Sequence, residues 1–292
     1  MNNKATELLK KMPSALEKVK EKAPLTHCIT NFVTVNDCAN AILAIGASPI
    51  MADDNEEVEE IVEISDALVI NIGKLSQDEI ESIKTSCKYA NKTNTPIVLD
   101  PVGAGISGLR NNITVEIVKN YKLATIRGNM SEIKAIVKLI KLPILENKDN
   151  EVAKGVDVNE NDIITKDNLK KNANIVNALA KELDTVVIAS GPIDIISNGN
   201  LTIAIENGDD MMPMITGSGC MLSSIVGSCV GANDAFLGSV LATLIMSLAG
   251  ESARKYVDKN DLGTGTFRAI LIDHLYKIND KVLLNNSNIY EI

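Results

Sequence analysis

Short apolar runs of strand length alternate with amphipathic segments of helical length along nearly the whole chain. No other feature constrains the fold as strongly. Residues 67–72, 96–99, 123–126 and 185–189 are rich in Val, Ile, Leu and Ala, the pattern of strands covered on both faces. Residues 25–30 and 48–51 are further strand candidates. Helical periodicity occupies 4–22, 36–45, 56–64, 77–90, 110–120, 131–140 and 168–183, and the chain from Gly219 onward is expected to be helical. Residues 193–197 and 201–205 flank Asn198-Gly199-Asn200, which predicts a hairpin. Residues 141–168, with Gly155 in the middle, are expected to form a polar loop. Strands alternating with helices predict βαβ units: an α/β fold with a central, mostly parallel sheet and helices on both faces. No composition break divides the 292 residues, so 1–292 is expected to be one domain.

Parallel sheets bind ligands at the carboxyl ends of their strands. The segments there are NIGKL, DPVGAGISG, RGNMSE and SGPID. The charge balance of 29 basic against 38 acidic residues gives −9. That disfavours a nucleic-acid or anionic-membrane surface, because both need a positive field. Any phosphate must be held by local groups. Two histidines, His27 and His274, rule out a multi-histidine metal site. Five cysteines without a C-x-x-C pair suit a reducing, cytoplasmic setting. The apolar stretches within 222–250 are interrupted by Asn233, Asp234, Gly and Ser. Neither flank supplies the ~20 apolar residues of a membrane span, and two buried helices are expected.

Several short motifs carry chemistry. Thr216-Gly217-Ser218-Gly219-Cys220 precedes a small-residue helix, CMLSSIVGSCVGA. A helix start of this kind binds anions through its free N–H groups, and a thiol placed there is expected to have a lowered pKa. A tight turn before a buried structural cysteine is the plainer explanation. Gly103-Ala104-Gly105-Ile106-Ser107-Gly108 matches G-x-G-x-x-G, but residues 123–128 lack the acid that a dinucleotide site needs. Asn129 and Glu132 have capping-box spacing. They also suit the water shell of a hydrated Mg²⁺, with Asp100 as a further candidate. Asp100 can equally cap the Pro101 turn. His27 is expected to be a polar residue of the fold, Met51 is core filler by its type, and the acids at 53–57 suit a solvated helix start.

Taken in order, HCITNFVTVNDCANAILAIGASPIMA, LVINIG, PIVLDPVGAG, IRGNMSEI, KGVD, VVIASGPID, TGSGCMLSSIVG and GTGTFRAILIDHL resemble the hydroxyethylthiazole kinase family from His27 to Leu275. The resemblance implies a ribokinase-like fold and transfer of the ATP γ-phosphoryl group to the primary alcohol of 4-methyl-5-(2-hydroxyethyl)thiazole, in thiamine biosynthesis or salvage. It places Met51, Gly217, Asn31 and Val33 at the thiazole and Arg127, Ser190 and Gly219 at ATP. The position of Ser190 is more usually Thr in the family. Asp100, Asn129 and Glu132 would order Mg²⁺. Cys220 would be the catalytic base, where ribokinase-like relatives usually carry Asp. The resemblance further implies a homotrimer with the thiazole site at the subunit boundary. Three other activities stay open on sequence: hydroxymethylpyrimidine kinase, NAD(P)-dependent oxidoreductase through GAGISG, and a nucleotide-binding module without turnover.

Overall fold

A computed structural model describes residues 3–144 and 162–292. The KGVD motif, Gly155 and most of the polar 141–168 stretch lie outside the described residues. The elements are α1 (Asn3–Lys22), β1 (Leu25–Ile29), α2 (Val35–Ala44), β2 (Ser48–Ile50), α3 (Val58–Ile64), β3 (Ala67–Asn71), α4 (Gln77–Thr93), β4 (Ile97–Asp100), α5 (Gly108–Asn120), β5 (Thr125–Asn129) and α6 (Met130–Leu139). They continue with α7 (Leu169–Leu183), β6 (Val186–Ser190), β7 (Asp194–Ser197), β8 (Thr202–Ile205), α8 (Ser218–Ala232), α9 (Ala235–Lys259), α10 (Thr264–Lys277), α11 (Asp280–Asn286) and β9 (Ile289–Glu291).

One nine-stranded sheet runs in the order β2-β1-β3-β4-β5-β6-β7-β8-β9. The first six strands are parallel, and β6 to β9 pair antiparallel. The expected three-layer α/β architecture is present. The expectation that the chain after Gly219 is entirely helical is corrected by β9. Its Tyr290 pairs with Ala204, and the strand covers the edge that the hairpin would leave open. Helix α3 begins at Val58, two residues later than predicted, because the Asp54 carboxylate accepts the Glu56 N–H and holds a turn there.

The pleat sorts side chains between two cores. Cys28, Val69, Val98 and Ile188 pack under α1, α2, α8, α9, α10 and α11. Their chain neighbours Ile29, Leu68, Leu99 and Val187 pack under α3 to α7. Helix α9 is long and apolar enough to cross a membrane, a length the sequence reading did not grant it, yet 72% of its apolar window is buried inside the protein. It lies against α8 and α10 as a core helix.

The same period of two positions the site. Residues two further along from Val69, Val98 and Ile188 are Asn71, Asp100 and Ser190, so they face α8 and α9 from the strand ends. Arg127 follows Thr125, whose hydroxyl meets Ser239 on α9, and so shares that face. The strand order reverses between β1 and β3, the switch point at which an open α/β sheet leaves a crevice.

Candidate active site

At the carboxyl edge of the sheet, β3 ends on Asn71 and β4 on Asp100, directly paired. Asp100 is fully buried. Its Oδ2 accepts from Asn71 Nδ2 at 2.9 Å and from the Ser223 hydroxyl at 2.7 Å, and it lies 3.8 Å from an Arg127 Nη1. Its Oδ1 is buried with no partner among the described residues. Burial raises the Asp100 pKa, while Arg127, Ser223 and Asn71 pull it back. The capping role foreseen for Asp100 gives way to this network, because Oδ2 is spent on side chains of β3 and α8.

Arg127 leaves β5 toward the start of α8. Its Nε donates to the Ser190 hydroxyl at 3.1 Å. A Cβ on Gly219 would stand 2.6 Å from its Nη1, so only glycine lets the guanidinium lie against this helix turn. Gly217 caps α8 at φ +83°, and a Cβ there would lie 2.5 Å from Thr34 Cγ2. The first helical bond of α8 is Met221 N–H to the Gly217 carbonyl. The N–H groups of Ser218, Gly219 and Cys220 precede it, in the first turn where helices hold anions.

Cys220 is half-buried, and its Sγ accepts from Asn71 Nδ2 at 3.2 Å. The expected lowering of its pKa is overturned. Burial, then the charge of Asp100 and the nearby Cys38, push the thiol up to about 12, outweighing Thr34 and Arg127. The partial charge of a helix start is too weak to offset a buried carboxylate beside the sulfur.

Asn129 and Glu132 form the capping box that their spacing predicts. Glu132 does more than cap. Its Oε2 accepts the Asn129 N–H at 2.8 Å, and its Oε1 takes the Gly103 N–H at 2.9 Å. Burial and the neighbouring Asp100 raise it to about 7. The GAGISG loop is therefore closed on itself. Gly105 N–H goes to Asn111 Oδ1 at 2.7 Å, and Arg110 clamps the carbonyls of Ile72, Val102 and Gly73. These glycine amides are occupied by protein groups, so the loop is no pyrophosphate cradle.

Asn31 and Val33 lie in the turn after β1. The Asn31 carbonyl oxygen Oδ1 accepts the Val33 N–H at 3.1 Å, and the following Thr34 touches Gly217. Met51 follows the edge strand β2, half-buried against the α8 side of the core. His27 is buried within β1 and pairs through Nε2 with the Ala52 carbonyl at 2.7 Å, a structural histidine whose pKa burial lowers.

The sequence reading did not single out Asn71, Ser223, Thr34 or Asp194. Asn71 carried one signal: an amide ending an otherwise apolar strand. Asp194 is buried at the start of β7. It accepts the Gly191 N–H at 3.0 Å and the Ser247 hydroxyl at 3.4 Å, fixing the turn that follows Ser190. Burial raises it from 3.8 to about 7, against the pull of Gly191, Arg127 and Ser247. Between about pH 4 and 7 the folded chain then binds more protons at Asp194 than the unfolded chain, so this group's stability contribution is lost as pH rises through that window. Asp194→Asn keeps an acceptor for Gly191 but does not ionise. Its Tm is expected to fall less than that of the wild type from about pH 5 to 8 in thermal melts. Parallel melting curves would contradict this assignment.

No group of three or more His, Cys, Asp or Glu side chains forms a metal cage among the described residues. The residues nevertheless fit Mg²⁺. Asp100 Oδ1 is a buried oxygen without a partner among the described residues, and Glu132, which pairs with Asn129, is close enough to Asp100 for their charges to interact. Mg²⁺ needs few carboxylates when phosphates and waters fill its remaining positions.

Residues 16–281 match the model of the hydroxyethylthiazole kinase family. The chain is 63% identical over 289 residues to a hydroxyethylthiazole kinase of Methanobrevibacter smithii, covering 99% of both proteins. It is 46% identical to hydroxyethylthiazole kinase 2 of Methanosphaera stadtmanae, over 98% of this chain and all of the relative. A solved hydroxyethylthiazole kinase structure from Pyrococcus horikoshii superposes with a TM-score of 0.83 at 32% identity, covering 97% of this chain and 99% of that one. More distant solved structures, including a Staphylococcus aureus pyridoxal kinase at 12% identity and TM-score 0.54, share the fold. A glycine-capped helix start, a buried acid and an arginine at the strand ends thus sit in a chain that belongs to the hydroxyethylthiazole kinase family.

Proposed function

We propose that this protein is an ATP-dependent kinase that phosphorylates the primary hydroxyl of 4-methyl-5-(2-hydroxyethyl)thiazole in thiamine biosynthesis or salvage. The observation that carries the reading is the meeting of Cys220, Asp100 and Arg127 beneath the start of α8. The alcohol oxygen attacks the γ-phosphorus, the bond to the β-phosphate oxygen breaks, and ADP departs with the electron pair. The transition state is loose, so positioning and charge stabilisation dominate. The Ser218, Gly219 and Cys220 N–H groups hold the migrating phosphoryl oxygens, and Arg127, backed by Ser190, meets the phosphate chain. Asp100, through Oδ1, would hold Mg²⁺, with Asn129 and Glu132 ordering its waters. Mg²⁺ would neutralise charge on the transferred and leaving phosphates.

Asn31, Val33, Met51 and Gly217 bound the thiazole. Cys220 orients the acceptor hydroxyl beside the phosphoryl site. Because burial keeps its thiol protonated near neutral pH, orientation of the alcohol replaces the base role. The alcohol proton leaves late, onto a phosphoryl oxygen, once P–O bond formation has made it acidic. We also propose a homotrimer with the thiazole site completed across the boundary. Phe32 and Val33, 69% and 53% exposed beside Asn31, support that reading, and sedimentation at three chain masses tests it.

The test is a coupled ADP-release assay with a panel of alcohols. The thiazole alcohol is expected to exceed hydroxymethylpyrimidine and simple sugars in kcat/KM by on the order of 10²-fold or more. Equal turnover of the pyrimidine alcohol would overturn the substrate assignment.

A further inference from the structure

We infer that Asn71 is a positioning residue for phosphoryl transfer, tying the Cys220 sulfur on the acceptor side to the Asp100 carboxylate on the phosphate side. The inference rests on the roles given above to Cys220 and Asp100.

Asn71 ends β3 and is 1% exposed, so every polar atom of its amide needs a partner inside the protein. Its Oδ1 accepts the Gly73 N–H at 2.8 Å. A backbone N–H can only donate, so this bond fixes which way the amide faces. Nδ2 must then point the other way, where it donates to Asp100 Oδ2 at 2.9 Å and to Cys220 Sγ at 3.2 Å. Both amide hydrogens are spent, one on each side of the reacting centre.

Two consequences follow for the chemistry. With Ser223, Asn71 occupies Asp100 Oδ2, which leaves Oδ1 as the oxygen free to meet a cation. The carboxylate cannot turn without breaking two bonds. On the other side, the sulfur is held by a donor from β3 while its backbone belongs to α8. The acceptor-orienting group is therefore registered to the sheet as well as to the helix. A neutral amide suits this place because it donates to both groups without adding a charge that would quench Asp100. A lateral error of about 1 Å in such a group costs on the order of 10²-fold in rate.

A kinetic double-mutant cycle separates this role from mere space filling. Asn71→Leu and Asn71→Ser each remove the forked donor, and reading both guards against one failing to fold. Cys220→Ala removes the sulfur. Each single change is expected to lower kcat for the thiazole alcohol on the order of 10²-fold, with both KM values within about threefold. The double variants are expected to lose clearly less than the product of on the order of 10⁴, because Cys220→Ala already removes the sulfur half of the Asn71 fork and leaves only its hold on Asp100 to be lost. Calorimetric binding of the thiazole alcohol to Mg²⁺-free Asn71 variants is expected to stay within about threefold of wild type. Additive losses, a loss of thiazole binding that matches the rate loss, or a silent Cys220→Ala would each overturn the relay. A folded Asn71 variant with wild-type kcat would do the same. A wild-type protein that turns over ATP with another alcohol but not with thiazole alcohol would sink the substrate assignment instead, and the cycle would then be run with that alcohol.

Discussion

Asp100→Asn is expected to lower kcat on the order of 10³-fold while the protein remains folded. The substitution is isosteric and can keep the contact with Ser223, but it removes the negative charge from a carboxylate whose Oδ1 is buried without a partner among the described residues. An amide is a poor ligand for a hard cation, and its NH₂ group would face either the cation or the Asn71 donor. Burial raises the Asp100 pKa, and Arg127, Ser223 and Asn71 oppose that rise by favouring the charged carboxylate. Steady-state kinetics at saturating ATP across a Mg²⁺ titration, with thermal melts as the folding control, measure the effect. A kcat within about tenfold of wild type, with an unchanged Mg²⁺ response, would remove Asp100 from the phosphate side.

Arg127→Ala is expected to reduce kcat/KM for ATP on the order of 10³-fold, the lower end of what a phosphate-facing arginine supplies. Thiazole binding is expected to change little, because the guanidinium lies among Ser190, Asp100 and Gly219 on the phosphate side. Arg127→Lys is not expected to restore activity. A lysine keeps the charge but loses the planar fork that reaches Ser190 while lying flat on Gly219. Parallel measurement of ATP kinetics and calorimetric thiazole binding decides the matter. Wild-type values of both kcat and ATP KM in Arg127→Ala would place the arginine outside the phosphate site.

Much of the architecture was legible before any coordinates. The apolar runs at 67–72 and 96–99 are strands because nothing but a doubly covered parallel sheet buries such segments on both faces. Asn129 and Glu132 were legible as a capping box because that motif is local, spanning one helical turn. Edge strand β9 was not legible. Residues 289–291 make a strand only because β8 offers them an unpaired edge, and that edge belongs to residues more than eighty positions earlier.

The site divides in the same way. Gly217, Gly219, Arg127 and Asp100 were visible from strand ends and glycine spacing. Asn71 and Ser223 were not, since their meaning comes from meeting Asp100 across separations of 29 and 123 residues. The thiol of Cys220 was misjudged for the same reason. A helix start argues for a lowered pKa, and only the packed fold buries the thiol and brings a carboxylate and a second cysteine close enough to reverse it.

What the sequence alone determined is the alternation of strands and helices, the family to which its motifs point, and the local devices at helix starts. Each of those depends on residues within a few positions of one another, or on a pattern repeated along the chain. The tertiary structure decided which oxygen of Asp100 is free, which way the Asn71 amide faces, and whether Cys220 holds its proton. Those are properties of groups brought together from distant segments, where burial and hydrogen bonding outweigh anything their sequence neighbours contribute.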